Sequence, residues 1–255
     1  MKIVYIVPGR MDADEVARRE AVLRSWAEPQ SCVEIATALE GPRSIECMFE
    51  EYLSIPGAAE VALRKEAEGF DAAILGCGGD PGLDALRELT TRMLVIGPGE
   101  ASFHVAAMLG HRFGVLKTNA DRFFSSVEMA FRAGVSEKLA EVIGVNVPVL
   151  EMTKHRAEMV ETIVAAAERA MREKHVDTLA IGCMTMAFME LDRELQAALG
   201  IPVVNPARAA LKLAEAMVSC GLRHSKRAFP QPPKLRSGQV TDYRDLYVGR
   251  SAERE

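Results

Sequence analysis

Two cysteines, Cys77 and Cys183, occupy the same place in two copies of one pattern, residues 70–89 and 176–195. Laid over each other without gaps, the copies share Asp71/Asp177, Gly76/Gly182, Cys77/Cys183, Arg87/Arg193, Glu88/Glu194 and Leu89/Leu195. About one match in twenty is expected from composition alone, so six point to a duplicated half-domain in which each half contributes one thiol. Two equivalent thiols can address a ligand from opposite sides. That is the geometry needed to take a proton from one face of a carbon and return one to the other.

Such chemistry needs a base, an acid on the far side, and stabilisation of the charge that develops on the adjacent carbonyl oxygen. A thiol with an ordinary pKa of about 8.5 becomes a base when backbone N–H groups or a helix N-terminus favour its thiolate. Gly78 and Gly79 leave the amides after Cys77 uncovered, and Met184 and Thr185 open a similar turn after Cys183. Those amides are candidates to hold a carboxylate or an enolate oxygen. No pyridoxal cofactor or metal is required by this scheme. Cysteine is otherwise among the most buried residue types, so Cys32, Cys47 and Cys220, which lack a matched context, are read as core packing.

The elements that must position these turns follow from the rhythm of the chain. Short apolar runs alternate with amphipathic segments, the pattern of parallel sheets covered by helices. Strands are expected at residues 2–7, 33–37, 72–76, 93–96, 112–116, 147–150, 178–182 and 203–205. Helices are expected at 12–26, 45–67, 82–91, 101–110, 121–133, 156–174, 188–199 and 207–220. The fold class is therefore α/β, with two pseudo-symmetric lobes of about four parallel strands each and a site in the cleft between them. Residues 1–98 plus 206–229 form the first lobe, 99–205 the second, and 230–255 a tail rich in proline and charge whose apolar material is chiefly Tyr243, Leu246, Tyr247 and Val248. Both cysteines fall at carboxyl ends of strands, where open α/β sheets bind ligands.

Composition narrows the function classes. A net charge of −5 over 255 residues argues against a nucleic-acid partner, which demands a basic surface. No run approaches the roughly 18 apolar residues of a membrane span, and the first residues read as a buried strand rather than a leader. A cytoplasmic location is expected. Five cysteines and five histidines are too scattered for a disulfide framework or a metal site.

With these residues in view, the chain resembles the aspartate/glutamate/hydantoin racemase superfamily, and within it the hydantoin racemases. The resemblance covers most of residues 2–229. It is carried by Gly41-Pro42-Arg43-Ser44-Ile45-Glu46, by Gly76-Cys77-Gly78-Gly79-Asp80-Pro81-Gly82-Leu83-Asp84, by Gly97-Pro98-Gly99-Glu100-Ala101-Ser102-Phe103-His104, by Leu109-Gly110-His111-Arg112-Phe113 and by Gly221-Leu222-Arg223-His224-Ser225-Lys226-Arg227. It implies a cofactor-independent racemase or epimerase with Cys77 and Cys183 as its acid/base pair, acting on a small molecule that carries a carbonyl or carboxylate, and assembling as a homo-oligomer. A 5-substituted hydantoin or related cyclic ureide is the substrate it favours. The implied substrate-binding set is Pro8, Ile45, Gly78, Gly79, Lys117, Thr118, Asn119, Met184 and Thr185.

Two departures touch the substrate. Where many relatives read Asn-Pro-Asn after the first strand, this chain has Val7-Pro8-Gly9-Arg10, and where hydantoin racemases usually carry two threonines it has Lys117-Thr118. Lys117 and Arg10 could face an anionic group, although solvated surface charge is the simpler reading of each. Met184, Met186, Phe188 and Met189 could wall the site, although such spacing more often packs a core. The alternatives that stay open are an amino-acid racemase, a cis–trans isomerase of an unsaturated diacid, a one-cysteine decarboxylase, a non-catalytic small-molecule-binding protein and a thiol-redox protein.

Overall fold

The computed structural model describes residues 1–119, 121, 123–240 and 242–246. In chain order the first half runs β1 (Lys2–Val7), α1 (Ala13–Trp26), β2 (Cys32–Thr37), α2 (Met48–Ala67), β3 (Ala72–Leu75), α3 (Leu83–Leu89), β4 (Leu94–Ile96) and α4 (Pro98–Leu109). The second runs β5 (Phe113–Lys117), α5 (Phe123–Arg132), β6 (Leu139–Gly144), α6 (Arg156–Lys174), β7 (Thr178–Ile181), α7 (Met184–Phe188), α8 (Leu191–Leu199), β8 (Val203–Val204) and α9 (Pro206–Ser219), followed by a short α10 (Pro233–Arg236).

The strands form two four-stranded parallel sheets of orders β2-β1-β3-β4 and β6-β5-β7-β8. The orders superpose one-to-one, so the sequence repeat is a structural repeat, with β3 equivalent to β7. The shared residues account for it. Asp71 Oδ2 accepts the Lys2 N–H at 2.8 Å, and Asp177 Oδ2 accepts the His111 N–H at 2.8 Å. At the other end of the strands, the Gly76 and Gly182 amides donate to Ile6 and Leu116 oxygens, each at 2.7 Å. A Cβ on either glycine would stand 2.4 or 2.7 Å from that same oxygen, so only glycine lets the chain leave the sheet there.

Pro98 and Pro206 open α4 and α9 at the first helical positions, where a missing N–H costs nothing. The chain changes sheets at these two helices. Ala207, Ala210, Leu211 and Ala214 of α9 pack with Ile3, Tyr5 and Ile74 of the first sheet. Phe103, Ala106 and Ala107 of α4 pack with Phe113, Val115 and Ala180 of the second. The segment after α9 is stapled down by three side chains of the Gly221–Arg227 motif. Arg223 donates to Arg92 O, Lys226 to Arg87 O and Thr90 O, and His224 Nε2 accepts the Val95 N–H at 2.8 Å. Of the tail, Tyr243 packs against the core formed by β1, β3 and α2, while Tyr247 and Val248 lie outside the described residues. Among the described residues no helix is long and apolar enough to cross a membrane.

Three sequence expectations are corrected. The strand placed at 147–150 is a 3-10 turn, Val149–Glu151, and the sixth strand is Leu139–Gly144. It is an edge strand with mostly half-buried residues, so it lacks the continuous apolar run of a central strand. The helix placed at 188–199 starts at Leu191, and a separate short α7 precedes it, because Glu190 adopts a left-handed conformation (φ 53°) between the two; Asn205 Nδ2 ties the break by donating to Ala187 O and Asp192 Oδ1. Cys32, Cys47 and Cys220 are exposed rather than buried, since each sits at the end of its element.

Candidate active site

A cavity of about 1200 Å³ opens where the carboxyl ends of β1, β3, β5 and β7 meet. It brings Cys77 and Cys183 together with Pro8, Ile45, Gly78, Gly79, Lys117, Thr118, Met184 and Thr185. Asn119, the residue after Thr118, is outside the lining, and its buried Oδ1 has no hydrogen-bond partner among the described residues. The two cysteine turns touch each other. A Cβ on Gly78 would lie 2.4 Å from Gly182 O and 3.3 Å from Cys183 N, so a side chain there would prise the turns apart.

Local sequence explains the shape. Helix α2 starts at Met48 rather than residue 45 because Glu50 Oε2 accepts the amides of Glu46 and Cys47, at 2.6 and 3.1 Å, in a capping box. Ile45 is thereby left in the loop that walls the cavity. Helix α7 begins immediately after Cys183, so the amides of Thr185 and Met186 face its sulfur. Met184 borders the cavity, but Met186 and Phe188 are core: Phe188 stacks on Trp26 at 6.1 Å and meets Tyr5 edge-on at 5.4 Å.

Burial raises both thiols, but the groups around the two sulfurs differ. Burial, followed by the Glu51 charge, pushes Cys77 up to about 12, with the Gly79 N–H and Lys117 opposing. Burial also raises Cys183, but the Met186 and Thr185 amides, Arg19 and Lys117 all act to lower it. Burial lifts Asp80, which supports the first turn, to about 7, even though it accepts the Gly99 and Glu100 amides at 3.0 and 2.6 Å.

Lys117 is only 4% exposed and lines the cavity, which corrects its reading as solvated charge. Arg10 also lines it but stays at the exposed rim, donating to Leu39 O at 2.9 Å. Sequence reasoning missed Arg19 and Glu51, both buried and both in the lining. Each sits in a charged stretch that reads as a solvated helix face; the one available signal is Glu15, four residues before Arg19.

Two pseudo-equivalent α/β halves, each presenting a Gly-Cys turn to a shared cavity, define a two-thiol site suited to acting on both faces of one ligand. The profile described as Asp/Glu/hydantoin racemase matches residues 15–214. The chain is 33% identical over 217 residues to a hydantoin racemase of Pseudomonas sp. (strain NS671), covering 84% of this chain and 86% of that one. It is also 33% identical over 194 residues to the hydantoin racemase of Paenarthrobacter aurescens, covering 76% and 81%. An allantoin racemase structure from Klebsiella pneumoniae superposes with a TM-score of 0.83 at 28% identity, covering 92% of this chain and 96% of that one. The chain belongs to the Asp/Glu/hydantoin racemase family and is a hydantoin racemase-like enzyme.

Proposed function

We propose that the protein racemises a 5-substituted hydantoin or a related cyclic ureide by proton transfer between Cys77 and Cys183. The observation that carries this reading is that the two matched Gly-Cys turns abut and open into one cavity. Relatives that act as hydantoin and allantoin racemases support the ring class.

The site's charges suggest the starting roles. Cys183 is faced by two amides and two cations and Cys77 has Glu51 beside it, so we assign Cys183 the starting thiolate and Cys77 the proton. The Cys183 thiolate takes the proton from the carbon next to the carbonyl, and the electron pair moves onto the carbonyl oxygen. In this reading the amides of Gly78 and Met184, which are not engaged by the sulfurs, stabilise that oxygen. Cys77 then delivers its proton to the opposite face, giving the inverted ring, a Cys183 thiol and a Cys77 thiolate. The reverse reaction uses the same groups with roles exchanged, and solvent exchange resets the pair.

Circular dichroism of single enantiomers tests the substrate: hydantoins should lose optical activity while aspartate and glutamate keep theirs, and a maleate-like diacid, which is achiral, should keep its cis double bond when followed by proton NMR. Turnover of an amino acid or a diacid without turnover of any hydantoin would reverse the assignment. We further infer a homo-oligomer, because α5 turns Phe124, Val127 and Phe131 to solvent at 80%, 37% and 76% exposure; light scattering should give a mass at least twice that of the chain.

A further inference from the structure

The repeat supplies a second matched pair at the cavity. Strands β2 and β6 take the same edge position in the two sheets, and the loop after each borders the cavity with a leucine, Leu39 after β2 and Leu150 after β6. These side chains are 67% and 62% exposed. A solitary exposed leucine is ordinary. Here two come from corresponding loops of opposite halves, and Pro42 and Ile45 extend the apolar lining on one side as Val149 does on the other.

The Leu39 wall is seated by close backbone contacts. A Cβ on Gly57 of α2 would stand 2.4 Å from Glu40 O, and one on Gly9, in the loop after β1, 2.4 Å from Pro42 O. From the same loop Arg10 Nε donates to Leu39 O at 2.9 Å. Side chains at Gly9 and Gly57 would therefore push residues 39–42 out of this position. In the other half, Leu150 lies in the 3-10 turn Val149–Glu151, and Val149 packs on the core of the second sheet. Both leucines thus stand on braced backbone, so a ligand group that covers them has little loop to order. Arg10, Asp12, Glu40 and Arg43 share the rim and are exposed; they would favour a polar group, and experiment separates the two preferences.

We propose that Leu39 and Leu150 determine specificity by gripping the substituent on the ring carbon that inverts, one leucine from each half, so that a branched aliphatic or aromatic group is preferred to a short or polar one. This rests on the ring-racemase reading above and adds the residues that select the side chain. Gly9 acts through Leu39, as the position that lets the wall sit where it does.

The test compares hydantoins carrying isobutyl, methyl and ureido groups at carbon 5. Each methylene taken out of water is worth about fourfold in affinity, so the three extra carbons of isobutyl allow up to roughly sixtyfold over methyl. With the parent enzyme kcat/KM for racemisation of the isobutyl ring should exceed that of the other two at least tenfold, chiefly through KM. Leu39→Ser and Leu150→Ser should each lower the isobutyl-to-methyl ratio at least threefold and the double variant further, with melting temperatures like the parent's because both side chains are already exposed. Gly9→Ala should lower the ratio in the same direction. Leu222→Ser, at a leucine 57% exposed and outside the lining, should keep the parent ratio. Preference for the ureido ring, or an unchanged ratio in both serine variants, overturns the apolar grip and leaves the racemase reading intact. Calorimetric binding of the isobutyl ring that weakens in the serine variants, with no turnover of any hydantoin, overturns the racemase reading and leaves the grip standing.

Discussion

The unequal thiols can be tested through Glu51. Its buried carboxylate lies against Gly79 and is, after burial, the main force holding the Cys77 proton. Glu51→Gln removes the charge and keeps the shape. A like charge within about 4–6 Å shifts a pKa by about one unit or more, so its removal raises the thiolate fraction at Cys77 by roughly tenfold to a hundredfold well below the pKa. A more acidic thiol is a weaker nucleophile, with a Brønsted slope of about 0.4–0.5, which trims the net gain in alkylation to roughly threefold to tenfold. The assay is iodoacetamide labelling at pH 8 to 9, followed by peptide mass spectrometry, with Cys183 as internal reference because Glu51 does not govern it. An unchanged Cys77 rate, or an equal rise at Cys183, would refute the reasoning that Glu51 sets the difference between the sulfurs.

Because both thiols are raised, kcat/KM should climb from pH 7 into the alkaline range; a plateau already reached at pH 7 would contradict that ordering. Gly78→Ala should cut kcat by at least tenfold and cost about 1–3 kcal/mol of stability, because its Cβ forces the two turns apart; unchanged kcat would show that the contact is dispensable. Phe188→Ala should cost about 3–5 kcal/mol in denaturant unfolding, since the ring is 1% exposed and joins Tyr5, Trp26 and Arg19. Burial lowers His224 to about 4 in the fold against an ordinary 6.5. Its contribution is therefore complete above about pH 6.5 and lost as pH falls toward 4, and His224→Gln should flatten the fall in melting temperature across that window.

The sheets were legible because central strands such as Ile3 to Ile6 and Ala72 to Leu75 are buried on both faces, which writes them as uninterrupted apolar runs. Edge strand β6 carries no such run, and α7 is so fully packed that Met-Thr-Met-Ala-Phe shows no helical period. The Gly-Cys turns were legible for a different reason: the close approach of Ile6 and Leu116 oxygens admits only glycine, twice. Arg19 and Glu51 were not, and for Lys117, which the resemblance placed in the site, its burial was not. A charged residue on an amphipathic segment looks the same whether the far side is water or a cavity, and what turns Arg19 inward is Phe188 and Thr185, more than 160 positions away.

The central claim, one thiol for each face, is tested most directly by deuterium exchange from solvent into separate enantiomers of one hydantoin. The parent should exchange and invert both. Cys77→Ser and Cys183→Ser should each lose racemisation at least a hundredfold, each keeping residual exchange with only one enantiomer, opposite in the two variants. Racemisation at the parent rate by both single variants, or the same enantiomer exchanging in each, would contradict the two-sided mechanism.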